Sequence, residues 1–345
     1  MKSRPPRPNV LRALLVGVGN RGLWPIEMCT PETGFVPAAL CDVRESALRE
    51  ARERTGLPAS VCFENYTEAL AHTGPNIDCI IVCAPTIFHV PYASQAVEAG
   101  LPVLVEKGMG PDWVSARALV QITADRGGRV CVAQNYRYNG LERTIRHILT
   151  DPTHPAHIGR VHQVSYTHQR VRPLPRTLIY PFACVWDMSC HHFDNLAFWF
   201  GPIASMTAAS WSAPWSAYEH DNNTSAHIVF ENKVRGHYIH THDAARASLE
   251  IEIHGERGAL VYKDDVGLTF NERPLEQFGT RPVEAVPIEE AHGEADLLRD
   301  FYAYVQRGVE PGVSVRHNLE TMAACEMMVR SITERRECFR KELDS

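Results

Sequence analysis

Before Gln134 the chain alternates short runs of consecutive apolar residues with stretches of mixed polarity. Leu14-Leu15-Val16, residues 36–41, Ile80-Ile81-Val82, Val103-Leu104-Val105 and Val130-Cys131-Val132 form the runs. A strand that is apolar on successive positions has both faces covered, as in a parallel sheet between helix layers. Residues 44–56, 91–100 and 112–127 carry the helical spacing, each ending at a glycine (Gly56, Gly100 and Gly127). This repeated βα order predicts an α/β, doubly wound Rossmann domain.

Beyond Arg160 the pattern changes. Leu249-Glu250-Ile251-Glu252-Ile253-His254 alternates apolar and polar residues, as a strand does with one packed face and one open face. Residues 163–170, 225–230, 236–242 and 259–262 read as further strands. Two helices follow, with Leu298, Phe301, Tyr302 and Val305 on one apolar stripe and Met322, Cys325, Val329 and Ile332 on another. The expectation is a C-terminal α+β domain with a large, mostly antiparallel, open-faced sheet. The boundaries expected are 1–134 for the first domain, with residues 1–9 a loose arm, and 135–345 for substrate binding and oligomerisation. The last helices are expected to pack back on the first domain. The open sheet face calls for a partner, most simply another copy in a homodimer or homotetramer.

A length of 345 residues fits two domains at ~100–200 residues each. The net charge of −6 argues against a nucleic-acid partner, which requires a basic surface. No apolar run reaches the ~20 residues of a membrane span, and the first residues lack the apolar core of a secretory signal. The 10 cysteines are scattered and no C-x-x-C occurs, so free thiols in a reducing cytoplasm are expected.

The apolar run ending at Val16 leads directly into Gly17-Val18-Gly19-Asn20-Arg21-Gly22 and then a helix from about Gly22. In such a turn the first glycine permits the tight bend, the second lets backbone approach a pyrophosphate, and the third allows close helix–strand packing. Asp42 closes the next apolar run, where a carboxylate accepts from ribose hydroxyls and repels a 2′-phosphate. Arg44, two residues on, could instead reach a phosphate. The balance favours NAD over NADP.

Asp187, His191 and Asp194 are spaced i, i+4, i+7, so an α-helix puts them on one face, with Trp186, Phe193, Ala197 and Phe200 on another. A histidine beside an acid suits acid–base chemistry. From this segment alone, a helix start with a capping acid and a solvated histidine is the simpler reading.

The ordered set of motifs resembles the glucose–fructose oxidoreductase/inositol dehydrogenase/rhizopine-catabolism (Gfo/Idh/MocA) family across nearly the whole chain. The likeness rests on Gly17 to Gly22, Ala84-Pro85-Thr86 with His89, Glu106-Lys107, and Asn135-Tyr136-Arg137-Tyr138. It continues in His157-Ile158-Gly159-Arg160-Val161 and Asp187-x-x-x-His191-x-x-Asp194. The resemblance implies an oxidoreductase of sugars, sugar derivatives or cyclitols, with Lys107, Asp187 and His191 catalytic around the carbon that exchanges hydride. It implies cofactor contacts from Gly17, Gly19, Asn20, Arg21, Gly22, Asp42, Arg44, Ala84, Pro85, Thr86, His89, Glu106 and Asn135. Gly108 stands where the family's E-K-P motif has proline, and Ser189 where a glycine usually precedes the helix histidine. Alternatives within the superfamily are an NAD-retaining glycosidase, a non-catalytic sugar or cofactor sensor, and an oxidoreductase of another substrate class.

For substrate, Tyr136 and Arg137 follow the sixth apolar run, at the carboxyl edge where ligands of such sheets gather. His168 and Arg170 alternate on one predicted strand face, where they either reach a sugar or simply face solvent. His240-Thr241-His242 beside Asp243 offers two histidines on one strand face. Spacing supplies no third ligand, so no metal is expected.

Overall fold

Leu11, Ala13 and Leu14 are wholly buried, as a central strand of a covered sheet requires. They belong to β1 (Leu11–Val16), which pairs in parallel with β2 (Phe35–Cys41) and β4 (Cys79–Val82). β3 (Cys62–Phe63), β5 (Val103–Val105) and β6 (Val130–Val132) complete a six-stranded sheet in the order β3-β2-β1-β4-β5-β6. A computed structural model describes residues 9–172, 181–275 and 293–344. Of the expected N-terminal arm, only Asn9 is among them.

The chain divides into two compact units, residues 1–138 with 292–319 and residues 139–291 with 320–345. In the first, the helix expected from about Gly22 begins at Leu23, after a 3₁₀ turn over Asn20–Gly22. This α1 (Leu23–Met28) carries Pro25 in its first turn, where a missing N–H costs nothing. The others are α2 (Glu45–Thr55), α3 (Tyr66–Thr73), α4 (His89–Glu98) and α5 (Trp113–Arg126). Asp112 caps α5 by accepting from Ser115 N at 2.7 Å, and Gly127 ends it with φ +59°. The core of this unit also takes in Leu297, Leu298, Phe301 and Val305, over 150 residues downstream of the sheet, whose Phe35 stacks on Phe301 at 5.7 Å.

The second unit opens with α6 (Gly140–Thr150) and β7 (Val161–Val171), followed by α7 (Cys190–Phe200). Its remaining strands are β8 (Ile203–Trp211), β9 (Asn223–Phe230), β10 (Arg235–Thr241), β11 (Asp243–Gly255), β12 (Gly258–Lys263), β13 (Gly267–Phe270), β14 (Arg273–Pro274) and β15 (Cys338–Phe339). They form one nine-stranded sheet in the order β14-β13-β12-β11-β7-β10-β9-β8-β15, antiparallel except for β10 against β7. The helix α8 (Glu294–Arg307) belongs to the first unit, and α9 (Val315–Glu334) enters the second from Glu320 onward.

Alternation in β10 is strict: Gly236, Tyr238 and His240 are buried while Arg235, His237 and Ile239 are exposed. One face of the sheet is therefore covered and the other open. Among the described residues, no helix is long and apolar enough to cross a membrane.

Candidate active site

Gly17 and Gly22 of the motif are required by contact. A Cβ on Gly17, whose φ is +80°, would lie 2.5 Å from Ala84 N, and one on Gly22 would lie 1.6 Å from Gly17 O. The turn after β1 is thereby pressed against the loop after β4, at the carboxyl ends of parallel strands. Asp42 follows β2 and is buried, accepting from Arg44 N at 2.9 Å and Arg44 Nε at 3.3 Å. The Arg44 guanidinium lies over Gly19, where it meets the position a Cβ would take. A glycine cradle that any Cβ would fill, beside a buried carboxylate one strand over, fits a dinucleotide with free ribose hydroxyls.

At the end of β5, Glu106 is the hub of a small network. Its Oε1 accepts from Arg21 Nε at 2.7 Å and Trp24 Nε1 at 2.9 Å, while Oε2 accepts from Lys107 N at 3.0 Å. A second carboxylate, Glu294 on α8, accepts from Arg21 Nη2 at 3.3 Å and Asn135 Nδ2 at 3.0 Å. Two buried acids beside it hold the Arg21 pKa above its ordinary value even though burial opposes the charge. Glu106 and Asn135 thus serve to hold the glycine turn and the Lys107 loop together. The peptide bond between Lys107 and Gly108 is cis.

His89 links two loops. One ring nitrogen lies 2.8 Å from Ala84 O and the other 2.7 Å from Gly108 O. Burial lowers its pKa, so the neutral ring donates to one of the two carbonyls at a time. Pro85 is exposed and Thr86 opens a 3₁₀ turn over Thr86–Phe88. Arg137 donates to Gly312 O at 2.9 Å, and Tyr138 to Asp300 Oδ2 at 2.8 Å; Tyr136 is half-buried in the same turn.

In the second unit the 187–194 segment departs from the expected single α-helical face. Val185–Ser189 is wound as a π-helix, and α7 proper begins at Cys190. The wider turn takes Asp187 out of α-helical register with His191. The expected contrast of an aromatic face and a polar face is also absent: His191, His192, Phe193, Asp194, Asn195 and Leu196 are all buried. The helix is covered on several sides, so its polar residues are bonded inward. Asp194 accepts from Thr321 Oγ1 at 3.1 Å, a packing role, and Asn195 donates to Glu142 Oε1 at 3.2 Å.

His168 is half-buried and its Nδ1 lies 2.8 Å from Nε2 of His192; Nδ1 of His192 lies 2.7 Å from the Tyr238 hydroxyl. Tyr238 donates to Ser189 Oγ at 2.8 Å, and Ser189 Oγ is 3.4 Å from His240 Nδ1. Ser189, at the position the family usually gives to glycine, is therefore a link that glycine could not make. Arg170 reaches Met188 Sδ. Trp24, Glu294, His192 and Tyr238 carry no motif, and only their contacts reveal them. Among the described residues, no three His, Cys, Asp or Glu side chains are arranged to hold a metal ion.

Residues 11–134 match the oxidoreductase family with an NAD-binding Rossmann fold, and residues 155–261 match the GFO/IDH/MocA C-terminal domain. The protein belongs to the Gfo/Idh/MocA oxidoreductase family, and its first unit is an NAD-binding domain. The chain is similar to inositol 2-dehydrogenase of Rhizobium meliloti (strain 1021), with 24% identity over 278 residues that cover 76% of this chain and 80% of the relative. D-apiose dehydrogenase of Paraburkholderia graminis is 24% identical over 329 residues, covering 89% and 84%. The fold is shared with the WlbA dehydrogenase of Bordetella pertussis, solved with NADH and UDP-GlcNAcA, at a TM-score of 0.79 and 18% identity over 96% of this chain and 99% of that one.

Proposed function

We propose that this protein is an NAD-dependent dehydrogenase, or reductase, of a secondary alcohol or ketone on a sugar, sugar derivative or cyclitol. The observation that carries the proposal is the anchoring of Lys107. Its backbone N–H bonds Glu106, and Glu106 is tied by Arg21 to the dinucleotide turn. A lysine held next to a nicotinamide cradle is suited to hydrogen-bond the substrate oxygen and stabilise its developing negative charge. NAD, when held in the glycine cradle by Gly17 to Gly22 and Asp42, would supply the hydride acceptor. His191, buried on α7, takes the hydroxyl proton, a transfer worth ~10²–10⁴-fold in rate. The relatives that act on inositol and D-apiose support the substrate class.

Asp42 sets the preference for NAD over NADP. The open sheet face is the surface of a homo-oligomer. Ten free cysteines support a reducing, cytoplasmic location. The NAD-retaining glycosidase reading is less well supported, because it needs a further acid–base group, and the Tyr138 hydroxyl already donates to Asp300.

The fate of the cofactor tests the reading. With a panel of sugars, sugar acids, inositols and glycosides, absorbance at 340 nm should accumulate in proportion to ketone product. Release of an aglycone with no net NADH would replace the dehydrogenase by the glycosidase.

A further inference from the structure

The sheet face that α7 covers carries an ordered polar layer within the second unit. Strand register sets Tyr238 beside Tyr166, and one level further it sets His240 between His168 and Thr224. Arg170 on β7 and His242 just past β10 continue the same face.

Only one side of this layer is satisfied. Because Tyr238 donates to Ser189, His192 Nδ1 supplies the proton for the Tyr238 oxygen, and His192 Nε2 accepts from His168 Nδ1. That leaves His168 Nε2 as an acceptor. Thr224 Oγ1, His240 Nε2 and both ring nitrogens of His242 are buried with no hydrogen-bond partner among the described residues. Adjacent buried polar atoms left unpaired in a native fold call for a ligand or solvent to complete them. Beside them, Arg170 has Met188 Sδ as a partner and no carboxylate within ion-pair distance among the described residues. Burial, aided by Arg170 and Arg172, pushes His168 down to about 4 and His242 to about 3, and holds His240 well below its usual range. At neutral pH the layer therefore offers a fixed guanidinium charge and three uncharged imidazoles.

We infer that this layer recognises a sugar acid: Arg170 takes the substrate carboxylate, and Thr224, His168, His240 and His242 bond its hydroxyls. The planar guanidinium fork matches a carboxylate in a bidentate pair. Neutral imidazoles suit hydroxyls, which both donate and accept, and they do not match the near-double charge of a phosphate. The inference rests on the sugar-oxidoreductase reading and narrows its substrate class.

The test is calorimetric titration of the full-length protein, saturated with NAD, against matched pairs: D-glucuronate with D-glucose, and D-galacturonate with D-galactose. Glucose 6-phosphate forms a further arm. A uronate should bind about tenfold to hundredfold more tightly than its neutral partner. Arg170→Gln should abolish that advantage, so that in the variant a uronate binds no more tightly than its neutral partner, and Arg170→Lys, which keeps the charge but not the fork, should retain only part of it. Equal or weaker binding of both uronates, no binding by either, an undiminished preference in the Gln and Lys variants, or tighter binding of glucose 6-phosphate would each overturn the inference. NADH formation from neutral sugars with no uronate preference would remove the carboxylate site alone. Uronate binding that depends on Arg170, with no NADH from any sugar, would instead remove the oxidoreductase reading and leave the site standing.

Discussion

Arg21 Nε donates to Glu106 Oε1 across 2.7 Å, joining the glycine turn after β1 to the end of β5, where Lys107 follows. The carboxylate is 4% exposed and the arginine 48%, so this is a half-buried ion pair. Removing the cation leaves Glu106 with two neutral donors, Trp24 Nε1 and Lys107 N. Arg21→Ala should therefore cost about 1–3 kcal/mol, less than the ~3–5 kcal/mol of a fully buried broken pair. Urea denaturation measures it, and an unchanged midpoint would mean that the two neutral donors suffice.

Asp42 should decide the cofactor. Wild-type protein is expected to bind NADH more tightly than NADPH in fluorescence titrations, and Asp42→Ala to narrow or invert the ratio. Tighter NADPH binding by the wild type would assign the preference to Arg44 instead.

Lys107→Ala and His191→Ala should bind cofactor nearly as the wild type does and lose turnover. The expected loss in kcat for His191→Ala is ~10²–10⁴-fold, since truncation removes an interaction made in the transition state. A variant that keeps near-wild-type kcat on the true substrate has no such role.

Glu142 gives a pH signature. Burial raises its carboxyl to about 7, Asn195 bonds Oε1, and Oε2 has no partner among the described residues. The folded state retains this proton at pH values where the unfolded chain, with an ordinary pKa of ~4.3, has released it. Stability should therefore fall as pH rises from ~4.3 to about 7, by at most on the order of 4 kcal/mol, and then level off. Glu142→Gln should flatten that slope in denaturation curves taken at pH 5 and pH 8.

The exposed residues of β10, with Ile239 at 42%, lie on the open sheet face. Light scattering at micromolar concentration should report a dimer or tetramer, and Ile239→Lys should shift it toward monomer. A wild-type monomer would remove this face as an interface.

Much of the fold was legible because its signals are local. A run such as Val103-Leu104-Val105 announces a doubly covered strand from three residues, and the alternation in β10 matches its burial position by position. Weak patterns were not legible: Ile203–Trp211 mixes small and apolar residues without a clear period, and Cys338–Phe339 is too short to carry one. The 187–194 segment misled because spacing counts 3.6 residues per turn, whereas Val185–Ser189 is a π-turn.

The sequence by itself determined the two sheet grammars, the glycine turn, the acid after β2 and the family, because strand period, steric need for glycine and motif order are written in neighbouring residues. Only the tertiary structure decided what surrounds them. Glu294 reaches Arg21 across 273 positions and Asn135 across 159, and no local pattern encodes a contact of that separation. The same holds for the layer of His168, His192 and His240, which α7, β7 and β10 bring together. Their identity as histidines is a fact of the chain. Which of them are buried, bonded and held neutral depends on register and packing, since charge is suppressed only where water is excluded.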